Sequence, residues 1–430
     1  MVHHASITLI PRYNGCLRDR LGEPSMNQPI EPRLKPSPDY VRERTDKYFT
    51  KSREVVERFG DRTVTYGVFM RRRVICAVDP ALALLRAHYP RHDIPLNITR
   101  LYEEGAAVPD QKPLFTYSGS FAALVELETL LLQRVGFTCV AAHNAYSMAM
   151  NLPKAAFLDM HARHAAGDDM SQLAAYGASV GSRIAKLNGA LGFIGTSQDI
   201  NAHFYGQDRG LGTMPHALIG YAGSTLRVAQ MYVETHPAEN LTVLVDFYAR
   251  EYADALEVCR WWFNEHVKLP ANGTQTLSFR IDTHGDRFAE GLSYERSVEI
   301  VCNWLHVVNE FEVVRMVMGE EAFDADTLNI MKDRVRRVLF GTGVSAAAVI
   351  HMRERLDAAG FMAARIVASS GFNLFKCKMF GNARVPVDVI GTGSFIPETY
   401  SETFATADIF KYEGDFHVKV GREKIFQGLK

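Results

Sequence analysis

Four apolar stretches in the second half of the chain each end in residues able to do chemistry. Asp246 follows "LTVLV", Asp282 follows "LSFRI", Ser369-Ser370-Gly371 follows "RIVA", and Gly391-Thr392-Gly393-Ser394 follows "VDVI". Carboxylates at such positions can accept from sugar hydroxyls or hold the waters around Mg2+, an ion that keeps much of its hydration. Serine- and glycine-rich turns present backbone N–H groups and hydroxyls, which suits a phosphate. Arg280 stands two residues before Asp282 and so shares a face of its strand. A fixed guanidinium there suits a carboxylate or a phosphoryl group. An aspartate at a strand end is also an ordinary helix cap, and for either one alone the two readings stand level. His216, in "LGTMPHALIGY" (211–221), follows a proline and opens an apolar run. A lone imidazole there serves packing or chemistry, and its local pattern leaves both open.

For these groups to act together, their strands must be parallel neighbours, because ligands in parallel α/β folds lie beyond the carboxyl ends of the strands. The surrounding pattern fits. "LTVLVDFY" (241–248) and "TLSFRID" (276–282) have the composition of strands, and "DALEVCRWWFNEHV" (254–267) and "ERSVEIVCNWLHVV" (295–308) that of helices. "SAAAVIHMRERLDAAG" (345–360) is a helix with a serine cap and a terminal glycine. It leads into "ARIVASSG" and, past a short helix, "VDVIGTGSF". Such alternation implies βαβ units. A full barrel needs eight, and four or five are legible, so the expected fold is α/β, an irregular or incomplete parallel β/α barrel over residues 151–400.

The earlier part differs. Residues 1–40 hold Pro11, Pro24, Pro29, Pro32, Pro36 and Pro38 with few large apolar residues, and predict an extended arm. Residues 41–150 mix elements into an additional α+β domain: a helix over "YVRERTDKYFTKSREVVERF", a strand at "RTVTYGVFM", and a helix in "SGSFAALVELETLLLQRVGF". Residues 401–430 are expected to return to that domain. The chain has 430 residues and a net charge of −1, so nothing global favours nucleic acid or an anionic membrane. Six scattered cysteines without a CxxC pair predict reduced thiols in a cytoplasmic protein. No stretch approaches membrane-span length.

At this point the chain resembles the nicotinate phosphoribosyltransferase family of type II phosphoribosyltransferases. Eight segments match its elements in order. "RTDKYFTKS" resembles T-D-x-Y, "LVELETLLLQRVGF" the E-T-L-L-L helix, and "LDMHARHAA" the D-F-G-x-R-R segment. "FIGTSQDINAHFYG" with "GTMPHALIG" resembles G-T-S-N-x-x-A-G followed by G-T-M-A-H. "VLVDFY", "FRIDTHGD", "IVASSGFN" and "VIGTGSF" are similar to V-D-T-Y, R-L-D-S-G-D, S-G-D-L and G-V-G-T.

The resemblance implies that nicotinate and phosphoribosyl pyrophosphate give nicotinate mononucleotide and pyrophosphate, a step of NAD salvage, with ATP as cosubstrate and Mg2+ as cofactor. It makes His216 the transiently phosphorylated histidine, with Asp246 and Asp282 as catalytic carboxylates and Asp282 on the ribose hydroxyls. Tyr48, Arg163, Ser197, Thr213 and Arg280 would contact substrate, Tyr48 reaching in from the second subunit of a homodimer with shared active sites. Ser370, Gly371, Gly391, Thr392 and Gly393 would hold phosphate.

This sequence departs from the pattern at several places. Met160 replaces a phenylalanine, His161 replaces a glycine, and "AAHNAYS" (141–147) stands where the family has A-T-K-A-A-R. "DTHGD" is one residue longer than its counterpart, and about fifty extra residues separate Asp282 from Ser369. Gln198 takes the position facing the base, with Asp199 expected to turn away or meet a cation. Nicotinate is the expected base. The alternatives are a nicotinamide-using enzyme and a non-catalytic phosphoribosyl-binding paralogue.

Overall fold

The computed structural model describes residues 39–267, 275–319 and 325–429. The proline-rich arm therefore lies, but for its last two positions, outside the described residues, as does Cys16. Two large sheets divide the labour. The first is built from the amino-terminal strands β1 (Thr63–Met70), β3 (Asn97–Arg100) and β5 (Pro113–Ser120), with β2 (Val74–Ile75) and β4 (Ala107–Val108) forming a separate ribbon between them in sequence. The second holds β6 (Ala156–Asp159), β7 (Phe193–Thr196), β8 (Leu241–Leu244), β9 (Leu277–Ile281), β10 (Arg365–Ala368) and β11 (Val389–Thr392). The chain then returns: β12 (Ala405–Tyr412) pairs antiparallel with β1, and β13 (Asp415–Phe416) with β12.

Every ladder of the second sheet is parallel, in the order β7-β6-β11-β10-β9-β8. That is the chain order taken in a circle and opened between β7 and β8. The first and last strands of the series pair directly, Ala156 opposite Val389. Six parallel strands thus stand where four or five were legible. The two overlooked ones are β6, whose AFLD holds no β-branched residue, and β7, whose Phe193-Ile194 lies between Gly192 and Gly195, so neither has the composition that marks a strand. β9 is buried along its whole length, as parallel strands covered on both faces are. Arg280 sits within it, so a cation is placed in a dry strand and needs partners.

One helix, Glu128–Asn151, joins the two cores. Leu130, Leu131, Cys139 and Val140 pack beneath the antiparallel sheet, while Phe137, Ala141, Ala145 and Met148 belong to the core of the parallel one. A helix apolar all round is what such a position requires. The helix Asp168–Leu187 lies against it with Gly177 and Gly181 at the contact. A Cβ on Gly181 would stand 2.0 Å from the Ala142 carbonyl oxygen, so only glycine permits this approach.

The helix expected over 40–59 is two, Tyr40–Arg44 and Lys47–Phe59, broken at Thr45–Asp46. Its apolar stripe does not bury within this chain: Tyr48, Val55 and Phe59 are all exposed. In "SGSFAAL" the strand runs on to Ser120, whose Oγ accepts from the Ala123 N–H and starts the helical path there. Within the extra residues after Asp282, helix Glu310–Met318 adds Val313 and Val317 to the large core, and helix Ala325–Phe340 adds Val335, Leu339 and Phe340. Cys76, Cys139, Cys259, Cys302 and Cys377 are free and buried. No described helix is long and apolar enough to cross a membrane.

Candidate active site

The carboxyl ends of β8, β9, β10 and β11 bring most of the chemically able residues together. Arg280 and Asp282 bracket the end of β9, and adjacent β10 delivers Ser369, whose Oγ donates to Asp282 Oδ1 at 2.9 Å. Arg280 is 8% exposed. Its Nη1 lies 3.5 Å from both Asp282 Oδ2 and Ser369 Oγ, and its Nη2 donates to the Met214 carbonyl at 3.1 Å. That last bond ties the Gly-Thr-Met-Pro-His turn to β9. Burial disfavours the charged guanidinium of Arg280 relative to an ordinary arginine; Asp282 and Asp246 oppose this, and the nearby Arg163 reinforces it. Arg163 is exposed, in the turn Ala162–His164, and its charge reaches the same place. Arg280 Nε has no hydrogen-bond partner although buried. A buried donor in that state is accounted for when an anion completes it.

His216 begins the helix His216–Ala222. Its Nε2 is 3.0 Å from Asp246 Oδ2. The imidazole is 43% exposed and the carboxylate 7%. Since an ionised carboxylate can only accept, Asp246 holds the proton on Nε2 and leaves the Nδ1 lone pair outward. Among the described residues no group bonds Nδ1, so it is free to act as a nucleophile or proton acceptor. The other oxygen of Asp246, Oδ1, is buried without a partner. Behind Asp246, Arg287 donates to its carbonyl at 2.8 Å and pairs with fully buried Glu251 at 2.6 Å. The longer "DTHGD" loop is thereby anchored.

The two glycine turns lie side by side. Thr392 Oγ1 donates to the Phe372 carbonyl at 2.6 Å and accepts from the Ser394 N–H, so this hydroxyl joins the turns and is not free for a ligand. Gly393 abuts the chain at His161, where a Cβ would come within 2.8 Å of the histidine Cα. Gly391 faces Met160, whose Sδ would stand 2.7 Å from an added Cβ. Ser370 and Gly371 both have positive φ, 76° and 66°.

His161 is not a ligand group. It is fully buried, its Nδ1 2.5 Å from Asp159 Oδ1 and its Nε2 2.9 Å from the Ser171 carbonyl. Asp159 also accepts from Tyr205 Oη at 3.1 Å. Gln198 Oε1 accepts from Ser171 Oγ and Asn201 Nδ2, both at 2.8 Å. Asp199 turns to the Gly210 N–H at 2.8 Å, as its place in the loop predicts. Ser197 is exposed beside this network, its N–H donating to the Asp159 carbonyl; Thr213 is half-buried in the turn before His216.

Tyr48 stands apart. It is 61% exposed on the amino-terminal helix, its hydroxyl 3.4 Å from Asp46 and its ring against Phe49. Conversely, Lys376 joins the site unannounced, its Nζ 2.9 Å from the Ser370 carbonyl. Within "LFKCKMF" it is one lysine on a short helix, and only folding places it at a turn. Among the described residues no three His, Cys, Asp or Glu side chains gather to hold a metal.

No protein-family model and no curated protein matches this sequence. Solved structures do match the fold. The nicotinate-nucleotide pyrophosphorylase of Pyrococcus furiosus superimposes with a TM-score of 0.62 over 91% of this chain and 81% of its own, at 19% identity. Human nicotinic acid phosphoribosyltransferase superimposes with a TM-score of 0.57 over 88% of this chain and 76% of its own, at 15% identity. At these identities the likeness is one of fold.

Proposed function

We propose that this chain is a nicotinate phosphoribosyltransferase of the family its motifs resemble, built on an open β/α barrel. It moves ribose 5-phosphate from phosphoribosyl pyrophosphate to nicotinate, with ATP hydrolysis coupled through His216. The observation that carries this is the His216–Asp246 pair: Nε2 is held by the carboxylate and Nδ1 is presented to solvent. Nδ1 attacks the γ-phosphorus of ATP, the bond to the bridging oxygen breaks, and ADP leaves; water later takes the phosphoryl group. The neighbouring Arg280–Asp282–Ser369 cluster supports the ribosyl site, since Asp282 can accept from ribose hydroxyls and stabilise the cationic transition state. The unpartnered Asp246 Oδ1 and the carboxylate of Asp282 would hold the water shell of a Mg2+ ion carried by the polyphosphate substrates, which would neutralise phosphate charge there. Tyr48, exposed with Val55 and Phe59 on the helix Lys47–Phe59, fits a homodimer in which that face serves the second subunit's site. The reaction belongs to cytoplasmic NAD salvage.

Arg280 and Arg163 favour nicotinate over nicotinamide, because a carboxylate gains charge-assisted hydrogen bonds there. Asp199, engaged with Gly210, is held off the substrate. Parallel assays with both bases test the reading: kcat/KM should favour nicotinate by at least about a hundredfold, on the order of 3 kcal/mol. Equal use of the two, or a nicotinamide preference that reverses in Asp199→Asn, overturns the base assignment. A protein that turns over neither but binds phosphoribosyl compounds is the non-catalytic paralogue.

A further inference from the structure

The turn Ser369-Ser370-Gly371 has a cation of its own. Lys376 Nζ spends one hydrogen bond on the Ser370 carbonyl at 2.9 Å and lies 4.2 Å above the Phe372 ring. An ammonium has three donors, and no carboxylate among the described residues stands within ion-pair distance of this one. The turn itself is strained. Ser370, a residue with a side chain, is held at φ 76° beside Gly371 at 66°, a conformation that persists where the surroundings impose it. Space beside the turn is open, since a Cβ on Gly371 would meet nothing within 4 Å. Among the described residues the N–H groups of Ser370 and Gly371 donate to no protein acceptor.

We propose that Lys376 is a phosphoryl-binding residue, its ammonium joining the free N–H groups of Ser370 and Gly371 to hold the 5-phosphate of a phosphoribosyl ligand. This rests on the reading above and adds a residue to it. The segment 141–147, which lacks lysine and arginine, supplies no competing charge: burial pushes His143 down to about 4, and Arg72 and Arg73 act in the same sense. Lys376 is itself pushed down to about 8 by burial, against the opposing effects of Cys377 and Asp282. On the adjoining face Arg334 stands over Phe375. A bound phosphate, dianionic above its second ionisation, favours the charged lysine. Affinity should therefore hold below about pH 8 and fall as the lysine loses its proton above it.

Calorimetry with ribose 5-phosphate on the full chain tests this. Lys376→Met should bind about 10- to 100-fold more weakly than wild type, and Lys376→Arg within a few-fold of it. In steady state the Met variant should raise KM for phosphoribosyl pyrophosphate and keep kcat. Its affinity should also lose the decline above about pH 8. Equal binding by wild type and the Met variant overturns this inference alone. Wild type that takes up no ribose 5-phosphate overturns both the inference and the reading it rests on. Should the Met variant melt early, Lys376→Gln carries the same comparison, and its binding ribose 5-phosphate as tightly as wild type also overturns the inference.

Discussion

Among the described histidines that face aspartates, His161 and His216 are set up in opposite ways. His161 and Asp159 lie fully buried at the end of β6, and both ring nitrogens meet acceptors. No lone pair is left for an outside electrophile. His216 and Asp246 lie at the end of β8, with the carboxylate buried, the imidazole half-exposed and one ring nitrogen unengaged. The same two side chains make a structural rivet in one place and an imidazole with an open ring nitrogen in the other. What separates them is the number of acceptors around the ring and its access to solvent.

The largest expected effect lies at the reactive pair. With γ-labelled ATP, wild type should acquire acid-labile, base-stable label, whereas His216→Ala should acquire none, with its melting temperature nearly unchanged because the ring is 43% exposed. Equal labelling of the alanine variant would erase the distinction between the two histidines. At the rivet the prediction inverts. His161→Leu should cost about 3–5 kcal/mol of unfolding free energy, because Asp159 is left as an unpaired buried charge. Adding Asp159→Asn should recover part of that loss, since no charge then remains to be stranded. Denaturant titration measures both, and a His161→Leu protein as stable as wild type breaks the comparison.

A smaller effect separates chemistry from scaffold beside His216. Asp282→Asn is isosteric and half-buried, so stability should hold while turnover falls about a hundredfold, as lost transition-state electrostatics commonly cause. Normal kinetics in the variant would reduce Asp282 to a partner of Ser369. The smallest effect concerns an acid with no histidine. Glu128, opening the helix between the two cores, is pushed up to about 7 by burial, with Asp408 and Asp46 adding to the shift. The folded protein then binds a proton that the unfolded chain has released between about pH 4.5 and 7, so its contribution to stability declines as pH rises through that window. Glu128→Gln should flatten that slope in pH-dependent melting curves. An unchanged slope shows that other groups set it.

Legibility from sequence followed the composition of the signal. β8, β9, β10 and β11 each combine an apolar run with a polar end, and the positions singled out there converge in space. β6 and β7 were hidden because the one has no β-branched residue and the other sets Phe193-Ile194 between two glycines, whereas the equally short β8, β10 and β11 carry valine, isoleucine or threonine. The spacing of Tyr48, Val55 and Phe59 predicted a helix, but amphipathic spacing specifies only that a face is apolar, not what covers it, and all three are exposed. Thr392 matched a phosphate motif by type, yet its hydroxyl turned inward to Phe372. Lys376 had no motif at all, because its role depends on a contact that helix geometry creates.

The sequence by itself determined the parallel strands with chemistry at their ends, the histidine after the Gly-Thr-Met-Pro turn, and the order in which these occur. Such features are local: residue type, spacing and turn propensity act over a few positions. Which histidine keeps an unengaged ring nitrogen was decided only by tertiary structure. Asp159 is two residues from His161, and the chain could suggest that pair; Asp246 is thirty residues from His216 and reaches it through two helices and a strand. Ring protonation, exposure and the direction of a lone pair depend on every neighbour at once, and those neighbours are set by packing.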